Sequence, residues 1–244
     1  RFARYAVDFA CLDLQRQGFE DLTNAVLKGG STIDAEGSLD PESPMWVKFA
    51  RGMMGMMIPA AQMIAATLDY ETDRQLKILD IAAGHGIFGI TLAQKFPRAE
   101  IYAVDWANVL EVAQENAERF GIADRYHQIQ GSAFDLDFGA DYDVVLLTNF
   151  LHHFDAATNE TLLRKIHGSL AENGKVITLE FIPNEDRVSP PMEAMFGLVM
   201  LAGTPAGDAY TFAELNEMFE NAGFSRNSQI PLAPLPQHLV VSMK

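Results

Sequence analysis

The sequence predicts an α/β fold: a doubly wound sheet of seven strands, mostly parallel, with an antiparallel last strand and a helical segment on its N-terminal side. Three observations lead there. From residue 76 onward, short apolar runs alternate with amphipathic stretches of helical spacing, the pattern of right-handed crossovers above a parallel sheet. The last two apolar runs, 224–230 and 238–243, are joined by only seven residues, among them Pro231, Pro234 and Pro236. That link cannot hold a crossover helix, so these two strands are antiparallel. Residues 1–75 show helical spacing alone, interrupted by a Gly/Pro-rich loop from Gly29 to Pro44.

Taken in order, 76–81 is a strand and 87–96 its crossover helix. The strand 100–105 and the helix 107–120 repeat the unit. Strands follow at 125–130 and 142–147, then a helix at 157–170 and a fifth strand at 175–179. A helical excursion over 191–201 and a helix over 211–221 precede the final pair of strands. Two regions result: 1–75, helical connector and lid helices, and 76–244, the sheet domain.

Composition narrows the function. The 244 residues carry a formal net charge of −15, with 48% hydrophobic and 21% charged residues, which is globular and not disordered composition. The negative balance weighs against nucleic acid, whose phosphates are bound by Lys and Arg, and against anionic membrane surfaces. A single cysteine, Cys11, forms no internal disulfide and no Cys-based metal site. No apolar run reaches the roughly 18 residues of a membrane helix, and the start lacks a signal-peptide pattern. A cytoplasmic location is the expectation.

The loop after the first strand reads Asp80-Ile81-Ala82-Ala83-Gly84-His85-Gly86-Ile87-Phe88-Gly89, and Asp105 ends the next strand. Glycines at 84, 86 and 89 followed by an acid at the second strand's end make a Rossmann-like nucleotide turn, formally compatible with NAD. The bland alternative is a tight strand-to-helix turn without a ligand. Asp80 decides between cofactors, because an acid at the loop's entrance repels a pyrophosphate and attracts an ammonium group. S-adenosylmethionine carries such a group, and the antiparallel final pair suits a methyltransferase sheet. Here the chain resembles the class I methyltransferases. Asp80, Ala82, Gly84 and Gly86 are then expected around the methionine moiety, with backbone N–H groups receiving its carboxylate. Asp105 accepts from the ribose hydroxyls, and Trp106 offers an apolar face to the adenosine. The corner Ser132-Ala133-Phe134 is expected near adenine, with core packing an equal alternative for Phe134. Asn149, at the end of the fourth strand, completes the cofactor set.

His152 and His153 follow the fourth strand at the carboxyl edge, where such sheets bind ligands, and Glu180 ends the fifth strand at the same edge. Methyl transfer to a hydroxyl needs an acceptor held in line and a base for its proton. A neutral imidazole suits that task, and a neighbouring carboxylate fixes its tautomer. A histidine merely hydrogen-bonded in the structure is the competing reading. His153 is expected in the wall of the site, and no metal is expected, because adjacent residues in an extended loop point opposite ways.

The wording Leu151-His152-His153-Phe154-Asp155, with Glu180-Phe181-Ile182-Pro183 downstream, resembles the cation-independent small-molecule O-methyltransferases, above all their bacterial tailoring branch. That resemblance implies His152 as general base and Glu180 as its supporting acid. A second supporting acid of the family falls on Ala209 here, so Asp208 beside it is the candidate substitute. It also implies an apolar, aromatic acceptor held by Phe49, Met53 and Met56 on one helix and by Met195 and Met200 on another. Six of the eleven methionines fall between Met45 and Met63, and flexible thioethers suit a flat ring, although a core-facing stripe explains the spacing equally well. Family members carry a further N-terminal dimerisation domain, and residues 1–30 resemble the helices after it. A homodimer is therefore expected of a longer protein. Two rivals remain: the same fold and cofactor used for decarboxylation, hydroxylation or a pericyclic step, and an NAD-dependent oxidoreductase.

Overall fold

The structure is a computed structural model and describes residues 13–33 and 43–244. Cys11 and most of the loop expected between Gly29 and Pro44 lie outside them. Two short helices, α1 (Asp13–Glu20) and α2 (Leu22–Lys28), precede the long α3 (Pro44–Thr67). The alternating part then runs β1 (Lys77–Ile81), α4 (Ile87–Lys95), β2 (Glu100–Asp105), α5 (Ala107–Arg119), β3 (Tyr126–Gln130) and β4 (Tyr142–Thr148). It continues with α6 (Ala156–Ser169), β5 (Leu170–Glu180), α7 (Pro191–Gly203), α8 (Phe212–Asn221), β6 (Arg226–Pro231) and β7 (His238–Met243).

All seven strands join one sheet in the order β3-β2-β1-β4-β5-β7-β6. Strands β1 to β5 pair in parallel, and β7 runs antiparallel to both β5 and β6. The expected topology is met. One boundary differs: β5 begins at Leu170 instead of 175, with a register shift against β4 between Tyr142 and Val144. Buried Leu170 pairs with Tyr142, and the polar residues after it bulge before Lys175 resumes the ladder.

Both faces of the sheet are covered, which is why its central strands read as unbroken apolar runs. Ile78, Ile101, Leu146 and Ile177 pack under α3 and α4, whereas Leu79, Val145 and Val176 pack under α6 and α8. Helix α3 buries Met57, Ala60, Ala61 and Ile64 against the first face. The N-terminal helices lie on α7: the Ser31 hydroxyl donates to the Ala202 carbonyl at 2.7 Å and its N–H to that of Thr204 at 3.0 Å. Helices from both ends of the sequence thus roof the sheet's carboxyl edge.

Candidate active site

Between β1 and α4 the chain turns through left-handed backbone at Ala82, Gly84 and Gly86. At Gly86 (φ +72°) an added Cβ would stand 2.7 Å from the Tyr126 hydroxyl. At Gly89 it would stand 2.7 Å from Ile101 and 3.0 Å from the Asp80 carboxylate. These glycines let helix and strand approach closely, and the turn is held by its own bonds, the Gly86 N–H donating to the Ala83 carbonyl at 2.7 Å and the Ile87 N–H to His85 Nδ1 at 3.2 Å.

Two carboxyl groups bracket the turn. Asp105 accepts from the Gly84 N–H at 2.8 Å on one oxygen and from the Trp106 N–H at 2.7 Å on the other. Each oxygen keeps a lone pair for a further donor. Asp80 is fully buried; one oxygen accepts from the Gly89 N–H at 3.2 Å, and the other has no hydrogen bond among the described residues. Burial pushes the Asp80 carboxyl up to about 7, partly offset by the Gly89 N–H and reinforced by Asp105. Burial likewise raises Asp105 to about 6 against the pull of its two N–H partners. A buried acid and a half-buried one beside the turn fit a ligand with an ammonium group and a ribose, and do not fit a pyrophosphate. His85, within the turn, is held neutral by burial, which lowers it to about 4.

The neighbouring corner is pinned from outside. Lys165 on α6 donates to the carbonyls of Ala133 and Phe134, both at 2.9 Å, and the Ser132 hydroxyl accepts from the Phe134 N–H. The Phe134 ring packs against Phe154 (centroids 4.9 Å apart) and Phe150. Trp106 packs beside Ala50, Val109 and Val112.

Across the edge, His152 and Glu180 meet as expected. The imidazole Nδ1 lies 2.5 Å from Glu180 Oε2, and Oε1 accepts the N–H groups of Phe150 and Leu151 at 3.0 and 2.9 Å. A 3-10 turn over Leu151–His153 aims those N–H groups at the acid. With Nδ1 committed to a carboxylate, the proton belongs on Nδ1 and Nε2 is left as acceptor. The histidine is only 5% exposed. Phe196 of α7 meets its ring edge-on at 4.8 Å, and Phe181 stacks on Phe196 at 4.1 Å. His153 lies 4.4 Å from His152, ring to ring, and Trp46 of α3 meets it edge-on at 6.0 Å. Burial, then the His152 charge, holds His153 well below the usual histidine range, so it stays neutral.

Asn149 adopts left-handed backbone (φ 54°), and its side-chain oxygen accepts from Gln237 at 2.9 Å. Both amides lie 3.8 Å from the Met57 sulfur. Met57, not Met56, is therefore the methionine of α3 that reaches the sheet edge; Met56 is 41% exposed, about 100° away around the helix. Phe49 packs on Trp46, and Met53 against the core under α3.

The expected residues divide on α7 and in the loop after it. Met200 is buried on the same side as Phe196, one helical turn on, whereas Met195 is 55% exposed. Met195 lines a separate open cleft of about 770 Å³ with Arg187, Leu198, Asp208 and Tyr210. Asp208 touches His152 only through its backbone, donating its N–H to the His152 carbonyl at 3.1 Å. Its carboxylate instead pairs with Arg187 at 2.9 Å, and Arg187 also holds Glu214. The acid thus faces that cleft, whereas Ala209 beside it is buried. Trp46, Phe196, Gln237 and Lys165 were not foreseen; Phe196 alone had a sequence signal, its spacing of four from Met200. Among the described residues, no three His, Cys, Asp or Glu side chains are grouped to hold a metal.

A model of the O-methyltransferase domain matches residues 26–225. The chain belongs to this family. Family membership excludes the NAD-dependent oxidoreductase reading. A relative from Streptomyces sahachiroi, 3-hydroxy-5-methyl-1-naphthoate 3-O-methyltransferase, is 28% identical over 177 residues, 72% of this chain and 50% of that protein. PigF of Serratia, an S-adenosyl-L-methionine-dependent methyltransferase, is 27% identical over 178 residues, 72% of this chain and 51% of its own. The chain spans about half the length of these relatives. A candidate O-methyltransferase of Nostoc punctiforme, solved as a crystal structure, superposes with a TM-score of 0.93 at 55% identity, covering 98% of this chain and 71% of that one.

Proposed function

We propose that the protein is an S-adenosylmethionine-dependent O-methyltransferase that methylates a hydroxyl group of a small, hydroxylated aromatic molecule. One observation carries this reading: a buried histidine is fixed through Nδ1 by a carboxylate that two backbone N–H groups hold still, at the carboxyl end of β4, the parallel neighbour of the β1 strand that leads into the glycine turn. The naphthalene ring in the name of the Streptomyces relative's acceptor supports an aromatic acceptor; its carboxylate is not carried over to this chain.

In this reading the turn at Gly84 and Gly86 lies against the cofactor's methionine moiety, with Asp80 meeting its ammonium group and Asp105 its ribose, and Ala82, Trp106, Ser132, Ala133, Phe134 and Asn149 around them. When bound, the cofactor supplies a methyl group already activated on a sulfonium. The protein's own work is to desolvate and orient the acceptor and to take its proton. His152 Nε2 accepts the hydroxyl proton, and Glu180 stabilises the imidazolium that forms. Phe196, Phe181, Trp46, His153, Met53 and Met200 exclude water and flank a flat ring. Phe49, Met56 and Met195 lie at the margin of this wall.

The test is transfer of a labelled methyl group to a set of phenols and naphthols. His152→Ala should lower turnover at least about 10²-fold while S-adenosylhomocysteine still raises the melting temperature. Unchanged turnover would sink the assignment. A second reading, another reaction run on the same cofactor, draws on buried Ala209 and on the turning of Asp208 toward Arg187. It predicts cofactor binding and a consumed acceptor with no labelled product. The family resemblance adds a homodimer and a cytoplasmic setting, which light scattering and cell fractionation decide.

A further inference from the structure

Glu193 is the acid that the proposed chemistry leaves unused. It lies in the first turn of α7 and is only 6% exposed. Its position is three residues before Phe196 and seven before Met200, so all three share the inner face of the helix, turned toward His152. No hydrogen bond or ion pair from a described residue reaches its carboxylate. Its charge raises the pKa of His238, at the start of β7, against the larger effect of burial. That histidine stands directly opposite Glu180 in the β5–β7 register, on the same side of the sheet as the His152 pair. His238 Nδ1 takes the Gln229 side-chain amide at 2.6 Å, which leaves Nε2 to carry the proton. Burial lowers the His238 pKa, so the imidazole brings a dipole and no full countercharge.

A helix N-terminus favours an acid in its first turn, but that effect asks for no burial, and no N–H of α7 bonds this side chain. Burying a carboxylate without a cation costs free energy, and such groups persist where a ligand compensates them. We infer that Glu193, backed by His238, is the specificity-determining contact of the acceptor pocket and binds a protonated amine on the acceptor. The inference rests on the acceptor site proposed above. The preferred acceptor is then a hydroxylated arene that also carries an amine, and a carboxylated arene is rejected by like charge in a poorly hydrated pocket.

Two catechols of opposite charge, dopamine and 3,4-dihydroxybenzoate, test this by calorimetry on the protein saturated with S-adenosylhomocysteine. Dopamine should bind the unsubstituted protein at least about tenfold more tightly, or about 1.4 kcal/mol. Glu193→Gln should bring the two within about twofold of each other, with the melting-temperature shift from S-adenosylhomocysteine as the control for folding. Equal binding, a preference for the carboxylate, binding of neither, or a preference that survives Glu193→Gln overturns the inference. The unsubstituted protein alone decides the first three outcomes, whatever the variant does. Binding of dopamine without methyl transfer would instead count against the proposed reaction and leave the Glu193 contact standing.

Discussion

The two halves of the site are built by different means. The proposed cofactor half, at the ends of β1 and β2, is local in sequence: a glycine turn, the carboxyl groups of Asp80 and Asp105, and main-chain N–H groups that bond them. Little there depends on a side chain from a distant segment. The acceptor half, at the ends of β4 and β5, is made of side chains from α3, α7 and β7 that converge only in three dimensions. A ligand common to a whole family is held by geometry that sequence change rarely alters. An acceptor that varies is met by helices whose exposed and buried faces can be rewritten one residue at a time.

The sharpest break of this contrast is Glu180→Gln. The amide would still accept the Phe150 and Leu151 N–H groups, but it would present a donor to His152 Nδ1 and force the opposite tautomer. We expect kcat to fall about 10³-fold or more while the affinity for S-adenosylhomocysteine, measured by calorimetry, stays constant. Equal losses in both halves would show that they are one unit. Gly86→Val should do the reverse. A β-branched residue at φ +72° beside the Tyr126 hydroxyl should cost about 2–3 kcal/mol in urea denaturation and weaken cofactor binding.

A smaller effect comes from pH. With burial raising Asp80 from 3.8 to about 7, the folded apoprotein between those values keeps a proton that the unfolded chain has released. Its stability therefore falls as pH rises through that window, and the full penalty stands above it. Asp80→Asn lacks this proton, so its urea midpoint should decline less than the wild type's between about pH 5 and pH 8. Parallel curves would mean that Asp80 is not the group titrating.

The same contrast explains what the sequence revealed. Ile78, Leu79, Val144 and Val145 announce strands buried on both faces, and the six residues between β6 and β7 force an antiparallel pair. The parallel direction of β4 and β5 then puts Asn149 and Glu180, at their carboxyl ends, at one edge, which is why His152 and Glu180 were legible as a pair. Helix faces were legible too, but not the strand edge each one covers. Nothing along the chain said that Trp46 would cross to His153 or that Phe196 would cap His152. Asp208 lay in a loop, where no periodicity fixes side-chain direction, and its carboxylate went to Arg187 instead of the imidazole. Lys165 was hidden because its head reaches back to carbonyls from an otherwise ordinary surface helix.

The position of β7 bears on how this protein is made. Because that strand slots between β5 and β6, the flank of β5 that ends in Glu180 has no pairing partner until His238 to Met243 have left the ribosome. An emerging chain thus carries a bare, strongly apolar sheet margin through the synthesis of α7, α8 and β6, a state prone to self-association. The flank of the strand that carries Glu180 is thus covered last, so a molecule cut short before β7 is expected to be a client for chaperones and proteases.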